Sequence, residues 1–173
     1  MNDFVIADPE KCIGCRTCEI ACVMAHETEL SIENLTAEKF SPRLRVVKTA
    51  KVTTPIQCRQ CEDAPCAKAC ADGAIVQKDH SVQVVLGKCI GCKACLMACP
   101  YGAIELVLTA AAVEGQHTVE ALKCDLCRKQ DGGPACIKVC PTKALYEMGG
   151  SKLMEQTQNK RKRAAIFGAM SSK

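Results

Sequence analysis

Sixteen cysteines in 173 residues fall into four runs, and their spacing carries the chemistry of this sequence. The first run is Cys12, Cys15, Cys18 and Cys22, and the second is Cys58, Cys61, Cys66 and Cys70. The third is Cys89, Cys92, Cys95 and Cys99, and the fourth is Cys124, Cys127, Cys136 and Cys140. Runs one and three read CxxCxxCxxxC, run two reads CxxCxxxxCxxxC, and run four is CxxC, eight further residues and CxxxC. Three closely spaced thiolates can wrap one face of a [4Fe–4S] cubane as a loop, while the fourth, opening a helix, points away and ligates a different cluster. Structural zinc favours two CxxC knuckles separated by a longer loop, which leaves the third cysteine of each run surplus. The sixteen thiols are therefore read as the iron ligands of four [4Fe–4S] clusters, with zinc and disulfides as the alternatives.

Gap lengths indicate which runs share clusters. Eighteen residues separate Cys70 from Cys89, against 35 between Cys22 and Cys58 and 24 between Cys99 and Cys124. The short gap reads as a hairpin, with strands at Ala74–Gln77 and Val82–Val85 around the turn Lys78–Ser81. Runs two and three then form one two-cluster unit, and runs one and four close a second around it. The resulting ligand sets are Cys12, Cys15 and Cys18 with Cys140; Cys124, Cys127 and Cys136 with Cys22; Cys58, Cys61 and Cys66 with Cys99; and Cys89, Cys92 and Cys95 with Cys70. A tandem pairing, one with two and three with four, is the competing arrangement.

The elements needed to position these ligands are few. Short strands are expected at Phe4–Ala7, Leu44–Val47, Ile104–Leu108 and Ala144–Tyr146, and short helices at Cys18–His26 and Ala94–Cys99. The expected fold class is α+β, as two ferredoxin-like two-cluster modules, one inserted within the other. Residues 1–57 and 100–150 make the outer module, 58–99 the inner one, and 151–173 a C-terminal helical docking tail. Aromatic residues are only 3% of the chain, so metal cross-links must supply much of the order that a large apolar core would otherwise give.

The formal charge of +4 counts the cysteines as neutral thiols. Four clusters, each about −2 with its thiolates, bring the loaded chain to about −4 and remove the main support for nucleic-acid binding. The longest mostly apolar stretch, Ile104–Val113, is interrupted by Glu105 and Thr109 and is too short for a transmembrane span. The first residues show no export signal, so a soluble chain in a reducing cytoplasm is expected.

At CIGCRTCEIAC, CRQCEDAPCAKAC, CIGCKACLMACPYGAI and CDLC followed by GPACIKVCPTKAL, the chain resembles the four-cluster iron–sulfur subunits that serve molybdenum and tungsten oxidoreductases. FVIADPEKCIGCRTCE, CRQCEDAPCA and the late KRKR are most similar to the small cytoplasmic subunits of formate hydrogenlyase and hydrogen-dependent carbon dioxide reductase. The resemblance runs from Phe4 to about Tyr146. It implies the same pairing of runs one with four and two with three, and a non-catalytic relay of electrons. The implied partners are a formate dehydrogenase catalytic subunit holding molybdenum or tungsten, and a hydrogenase subunit or another iron–sulfur subunit. Pro100 and Pro141 follow the last cysteine of runs three and four as the pattern requires, whereas Val23 and Ala71 stand there in runs one and two.

Gly14 and Gly91 can let backbone N–H groups approach cluster sulfurs or permit a tight turn. Arg16, Arg59, Lys93 and Arg128 lie inside ligand loops, where a cation favours a reduced cluster or is simply solvated. His80 reads as a turn residue, and His26 and His117 as surface; no nucleophile or dinucleotide fingerprint accompanies them. In the tail, Ala164, Ala165, Ile166, Phe167 and Met170 suggest docking on a partner or on a second copy. The alternatives are an electron-transfer subunit of another molybdenum or tungsten oxidoreductase and, from a different class, a cluster-maturation or redox-sensing factor.

Overall fold

The computed structural model describes residues 1–27, 31–110 and 117–171. Residues 111–113 of the long apolar stretch, and the side chains of His117 and Met170, lie outside the described set. In chain order the elements are β1 (Phe4–Ala7), α1 (Thr17–His26), β2 (Leu44–Lys48), β3 (Thr53–Gln57), α2 (Pro65–Lys68), β4 (Ile75–Lys78) and β5 (Ser81–Val84). They continue with α3 (Ala94–Ala98), β6 (Glu105–Ala110), β7 (His117–Leu122), α4 (Ala135–Lys138), β8 (Leu145–Met148) and α5 (Gly150–Ser171). The described residues form a small α+β structure of antiparallel strand pairs and five α-helices.

Every described sheet has two strands. β4 and β5 pair as the expected hairpin, Ile75 opposite Val84, around Asp79 and His80. These two residues have φ of 52° and 54°, the double left-handed conformation of a type I′ turn that matches strand twist. β1 pairs with β8 at the far end of the chain, from Phe4 opposite Met148 to Ala7 opposite Leu145. Two further hairpins, β2–β3 and β6–β7, lie between cysteine runs. Neither β3 nor β7 was expected, since Pro55 interrupts the strand pattern of the first.

Helices of four or five residues have no independent stability in water. Here α2 and α3 pack against each other, as do α1 and α4, so the residues within each CxxxC step are ordered by tertiary contact. Pro65 occupies the first turn of α2, and Pro134 is the N-cap of α4; the missing N–H costs nothing there and the fixed φ suits a helix start. Cys18, Glu19, Cys22 and Val23 form the buried face of α1. That face follows from the i, i+4 spacing.

Two apolar cores result. Val5, Leu44, Val46, Leu126 and Leu145 pack with Cys18, Cys22 and Cys136. Ala64, Ile75 and Val82 pack with Cys66 and Cys95, and Ile104 and Ala121 join them. Those last two come from the 100–150 stretch, which the sequence had grouped with runs one and four. The hairpin β6–β7 lays its base on the second core, so the packing crosses the sequence boundary.

A buried polar seam joins the two cores. Gln60, within run two, accepts from the Val82 N–H at 2.7 Å and donates through Nε2 to the Cys124 carbonyl in run four at 2.8 Å. Asn2 donates to the Gln60 carbonyl at 2.9 Å, and Gln57 donates to the Val5 carbonyl at 2.9 Å. Glu19 carries a buried carboxylate that accepts the Val46 N–H at 2.6 Å and ties α1 to β2. Apart from the half-buried Leu153, the described side chains of α5 are exposed, Met154, Ile166 and Phe167 among them. Among the described residues no helix is long and apolar enough to cross a membrane.

Gln60→Met keeps the volume but strands the buried Val82 N–H and removes one donor from Cys124. The expected loss is roughly 1–3 kcal/mol, seen as a lower thermal unfolding midpoint of the anaerobic protein; an unchanged midpoint would show that the seam contributes nothing.

Candidate metal centres

Four cavities open along the chain, and each is lined by four cysteines. Cys12, Cys15, Cys18 and Cys140 line one. Cys22, Cys124, Cys127 and Cys136 line another. Cys58, Cys61, Cys66 and Cys99 line a third, and Cys70, Cys89, Cys92 and Cys95 a fourth. In every case three thiols come from one run and one from another. All sixteen are free cysteines, so no disulfide competes for them.

The remaining walls are mostly apolar. Val46, Pro55 and Leu145 flank the first cavity, Leu44 and Leu126 the second, Val82 and Ile104 the third, and Ile75, Val84 and Leu106 the fourth. A tetrahedral zinc with Zn–S bonds of about 2.3 Å draws its sulfurs to about 3.8 Å of one another. Among the described residues, the one group of three or more His, Cys, Asp or Glu ligand atoms within 4.8 Å of one another is His26, Asp125 and Cys127. The thiol quartets are splayed around open volumes, which fits a polynuclear cluster better than a single ion. Donor chemistry agrees, since four soft thiolates suit iron–sulfur clusters.

Left-handed backbone shapes the ligand loops. Gly14 and Arg16 have φ of 71° and 62° in run one, and Gly91 and Lys93 have 67° and 71° in run three. Gln60, Leu126 and Cys127 adopt φ of 50°, 61° and 50° in the other two runs. Backbone N–H groups then reach the sulfurs. Ala74 donates to Cys70 Sγ and Ala144 to Cys140 Sγ, both at 3.2 Å, while Arg43 donates to Cys22 Sγ and Gln60 to Cys58 Sγ, both at 3.4 Å. Such bonds stabilise thiolate charge and raise cluster potentials.

Burial pushes most of the shifted thiols up, Cys18 and Cys124 to about 12. Cys140 is the exception, because hydrogen bonds from Thr142 and nearby backbone outweigh its burial and lower it. A thiol held neutral by burial must release its proton to bind metal, so loading and deprotonation are coupled.

Sequence reading placed His26 on the surface; it is half-buried beside the second cavity. One turn after Cys22 on α1, it shares that cysteine's face. Its Nδ1 donates to the Cys22 carbonyl at 2.7 Å and its Nε2 to Asp125 at 3.0 Å. Burial opposes the imidazolium, but the bonds to Asp125 and Cys22 prevail and raise it to about 9. Arg43 also bonds Asp125, at 2.6 Å. Burial of that carboxyl is outweighed by His26 and Arg43, which hold it well below the usual carboxylate range. The trio clamps run four to α1 and β2.

Of the loop cations, Arg16, Arg59 and Lys93 line cavities, while Arg128 pairs with Asp3 at 2.6 Å. Sequence reasoning missed Gln60, Arg43, Asp125 and Lys123. Gln60, Asp125 and Lys123 stand inside or next to a cysteine run, which was the one available signal.

This arrangement is that of an iron–sulfur carrier, and comparison with known proteins gives its family. Residues 49–149 match the 4Fe-4S dicluster domain and residues 9–25 a 4Fe-4S binding domain. The chain belongs to the 4Fe-4S dicluster domain family. It is 47% identical to "Electron transport protein HydN" of Escherichia coli K12, over 96% of this chain and 99% of that one. It is 46% identical to "Putative electron transport protein YsaA" of the same organism, over 88% of this chain and 94% of that one. A third relative, "Putative oxidoreductase AegA", also from that organism, is 44% identical over 95% of this chain, which spans 25% of its length. The cofactors are [4Fe–4S] clusters, with sixteen cysteines available for four, and the role is iron–sulfur electron transfer.

A Cβ added at Gly91 would stand 2.6 Å from the Val119 carbonyl oxygen, a backbone atom, whereas one at Gly14 would meet the Thr53 methyl at 2.8 Å. Side chains move aside more cheaply than strands. Gly91→Ala is therefore expected to lose more iron than Gly14→Ala, by metal analysis of anaerobically reconstituted protein; equal losses would mean that the left-handed φ alone sets the cost.

Proposed function

We propose that the four quartets each bind one [4Fe–4S] cluster and that the chain relays electrons between a formate dehydrogenase and a hydrogenase in a cytoplasmic complex, without substrate chemistry of its own. The observation that carries this reading is the composition of the cavities, each with three thiols from one run and the fourth from another. When bound, such clusters accept and release one electron apiece. The chain's contribution is to hold them in line, exclude water between them and expose the ends.

The geometry favours a linear order. α1 links the quartets of Cys18 and Cys22, and α4 does the same through Cys136 and Cys140. The segments from Cys66 to Cys70 and from Cys95 to Cys99, which begin on α2 and α3 and end just past them, link the other two quartets. Between those pairs, Gln60 joins the Cys58 loop to the Cys124 carbonyl. The order is then Cys12/15/18/140, Cys22/124/127/136, Cys58/61/66/99, Cys70/89/92/95. Only the two terminal quartets include an exposed cysteine, Cys15 and Cys92, and each lies beside an exposed isoleucine, Ile13 or Ile90. These are the proposed points of electron entry and exit.

Nesting of one ferredoxin-like module in another, 58–99 within 1–57 and 100–150, is part of the same reading. The pairings of β1 with β8 and β4 with β5 support it. The formate and hydrogenase partners rest on the motif resemblance and on the electron-transport relative that matches end to end; a different molybdenum or tungsten oxidoreductase would use the same wire. A maturation or sensing factor fits less well, since such a role favours a labile cluster short of a ligand, and here every quartet is complete.

Full anaerobic reconstitution should give about sixteen iron and sixteen sulfide per chain, and about eight iron or fewer would end the four-cluster reading. Cys99→Ala should damage the cluster of Cys58, Cys61 and Cys66 more than that of its own neighbours Cys89, Cys92 and Cys95. The reverse result would favour ligation within each run. Copurification of the native complex with molybdenum or tungsten tests the formate side.

The tail is the proposed assembly element. Lys160–Arg163 are exposed and cannot be buried together without anions, so they belong at an interface rim. Ile166 and Phe167 can contribute roughly 1.5–3 kcal/mol each on full burial. Deleting residues 159–173 should leave iron content intact yet weaken the complex and uncouple formate-linked from hydrogen-linked activity. A truncated chain that assembles and transfers electrons at the full rate would make the tail solvated surface.

A further inference from the structure

We infer that Lys123 is a shared potential-setting residue, whose buried ammonium lies at the junction of the two inner sites and raises the reduction potentials of both clusters together. The inference rests on the four-cluster reading above. Lys123 directly precedes Cys124 and is 2% exposed. Its Nζ donates to the Val82 carbonyl and, at 3.0 Å, to the Cys124 carbonyl. Among the described residues no carboxylate forms an ion pair with it, in contrast to Arg43, Arg45, Lys68 and Arg128. A buried cation without an anionic neighbour is costly unless charge of opposite sign stands close by.

Its two acceptors identify where that charge lies. Cys124 belongs to the quartet with Cys22, Cys127 and Cys136, and Val82 lines the cavity of Cys58, Cys61, Cys66 and Cys99. The Cys124 carbonyl also accepts from Gln60, which sits in the Cys58–Cys61 loop. Lys123 thus occupies the crossing between the halves of the wire, where no ligand helix is shared.

A four-thiolate cluster carries a charge of about −2 oxidised and about −3 reduced. A fixed positive charge stabilises the more negative state and so raises the potential. Low surrounding dielectric strengthens the effect, and distance weakens it. Arg16 and Lys93, beside the outer sites, are exposed, so solvent and salt screen them. One buried charge then acts on the inner two sites, keeping the step across the junction close to level and both inner sites easier to reduce.

The test uses the full chain, reconstituted anaerobically, with Lys123→Gln, Lys123→Met and Lys123→Arg. Iron content is measured first, then potentials by dithionite titration followed by electron paramagnetic resonance. With iron at the parent level, the neutral variants should shift two of the four potentials together to more negative values and leave the other two in place, and Lys123→Arg should stay near the parent. Unmoved potentials, a shift of one cluster alone, or an equal shift of all four would overturn the inference. So would loss of iron from both neutral variants with full loading of Lys123→Arg, which would make the charge structural. Fewer than about sixteen iron in the parent sinks the four-cluster reading and this inference with it; sixteen iron with unmoved potentials sinks this inference alone.

Discussion

Two cysteines four residues apart on a short helix share a face but are displaced along its axis by about one turn, and this displacement governs the rest of the molecule. Cys18 and Cys22 are both buried on α1 yet line different cavities. Cys66, Cys95 and Cys136 are likewise buried on α2, α3 and α4, and Cys70, Cys99 and Cys140, half-buried just past the ends of those helices, each line a different cavity from the helical cysteine four residues before. No run can complete its own quartet, so each must be met by a distant run that offers its last thiol. The pairing of β1 with β8, which brings the two ends of the sequence together, follows from that demand. A chain with so few aromatics can tolerate such long-range closure because the ligands, once bound, cross-link the segments.

Charge is the second consequence. Burial makes thiols such as Cys18, Cys124 and Cys136 resist ionisation, and the chain sets N–H donors aimed at sulfur and clusters of charged groups beside the quartets. Those clusters are unevenly distributed. His26, Asp125 and Arg43 gather beside the Cys22 quartet, and Lys123 and Gln60 lie on its other flank. The terminal quartets have only exposed cations near them. Polar organisation is therefore concentrated at the inner sites, where water cannot supply the compensation that it gives at the surface.

The sequence made the cysteine runs, the β4–β5 hairpin and the first and last strands readable, because ligand spacing and alternation are local patterns. What it hid was set by packing. Pro55 concealed β3, which pairs with β2 despite lacking one donor. Ile104 and Ala121 joined the second core through a hairpin whose base contacts could not be assigned from spacing. His26 sits half-buried because Asp125, 99 residues away, meets it. Gln60 and Lys123 are polar residues among cysteines, and polarity there carries no periodicity from which burial could be inferred. Their neighbours across the seam, Val82 and Cys124, are known only once the two cores are assembled.

An asymmetry between ends and middle then ties structure to role. The two inner quartets have no exposed cysteine, and each terminal quartet has one. Electron carriers work under opposing requirements, since exchange with a partner needs a cluster near the surface and internal transfer benefits from an environment that water does not reorganise. A single cluster must compromise between them. The proposed line of four would separate the tasks, with the terminal sites open beside Ile13 and Ile90 and the inner sites lined by Leu44, Leu126, Val82 and Ile104. Crossed ligation would make that separation structural, because each CxxxC step directs one of its two cysteines to a terminal cavity and the other to an inner one.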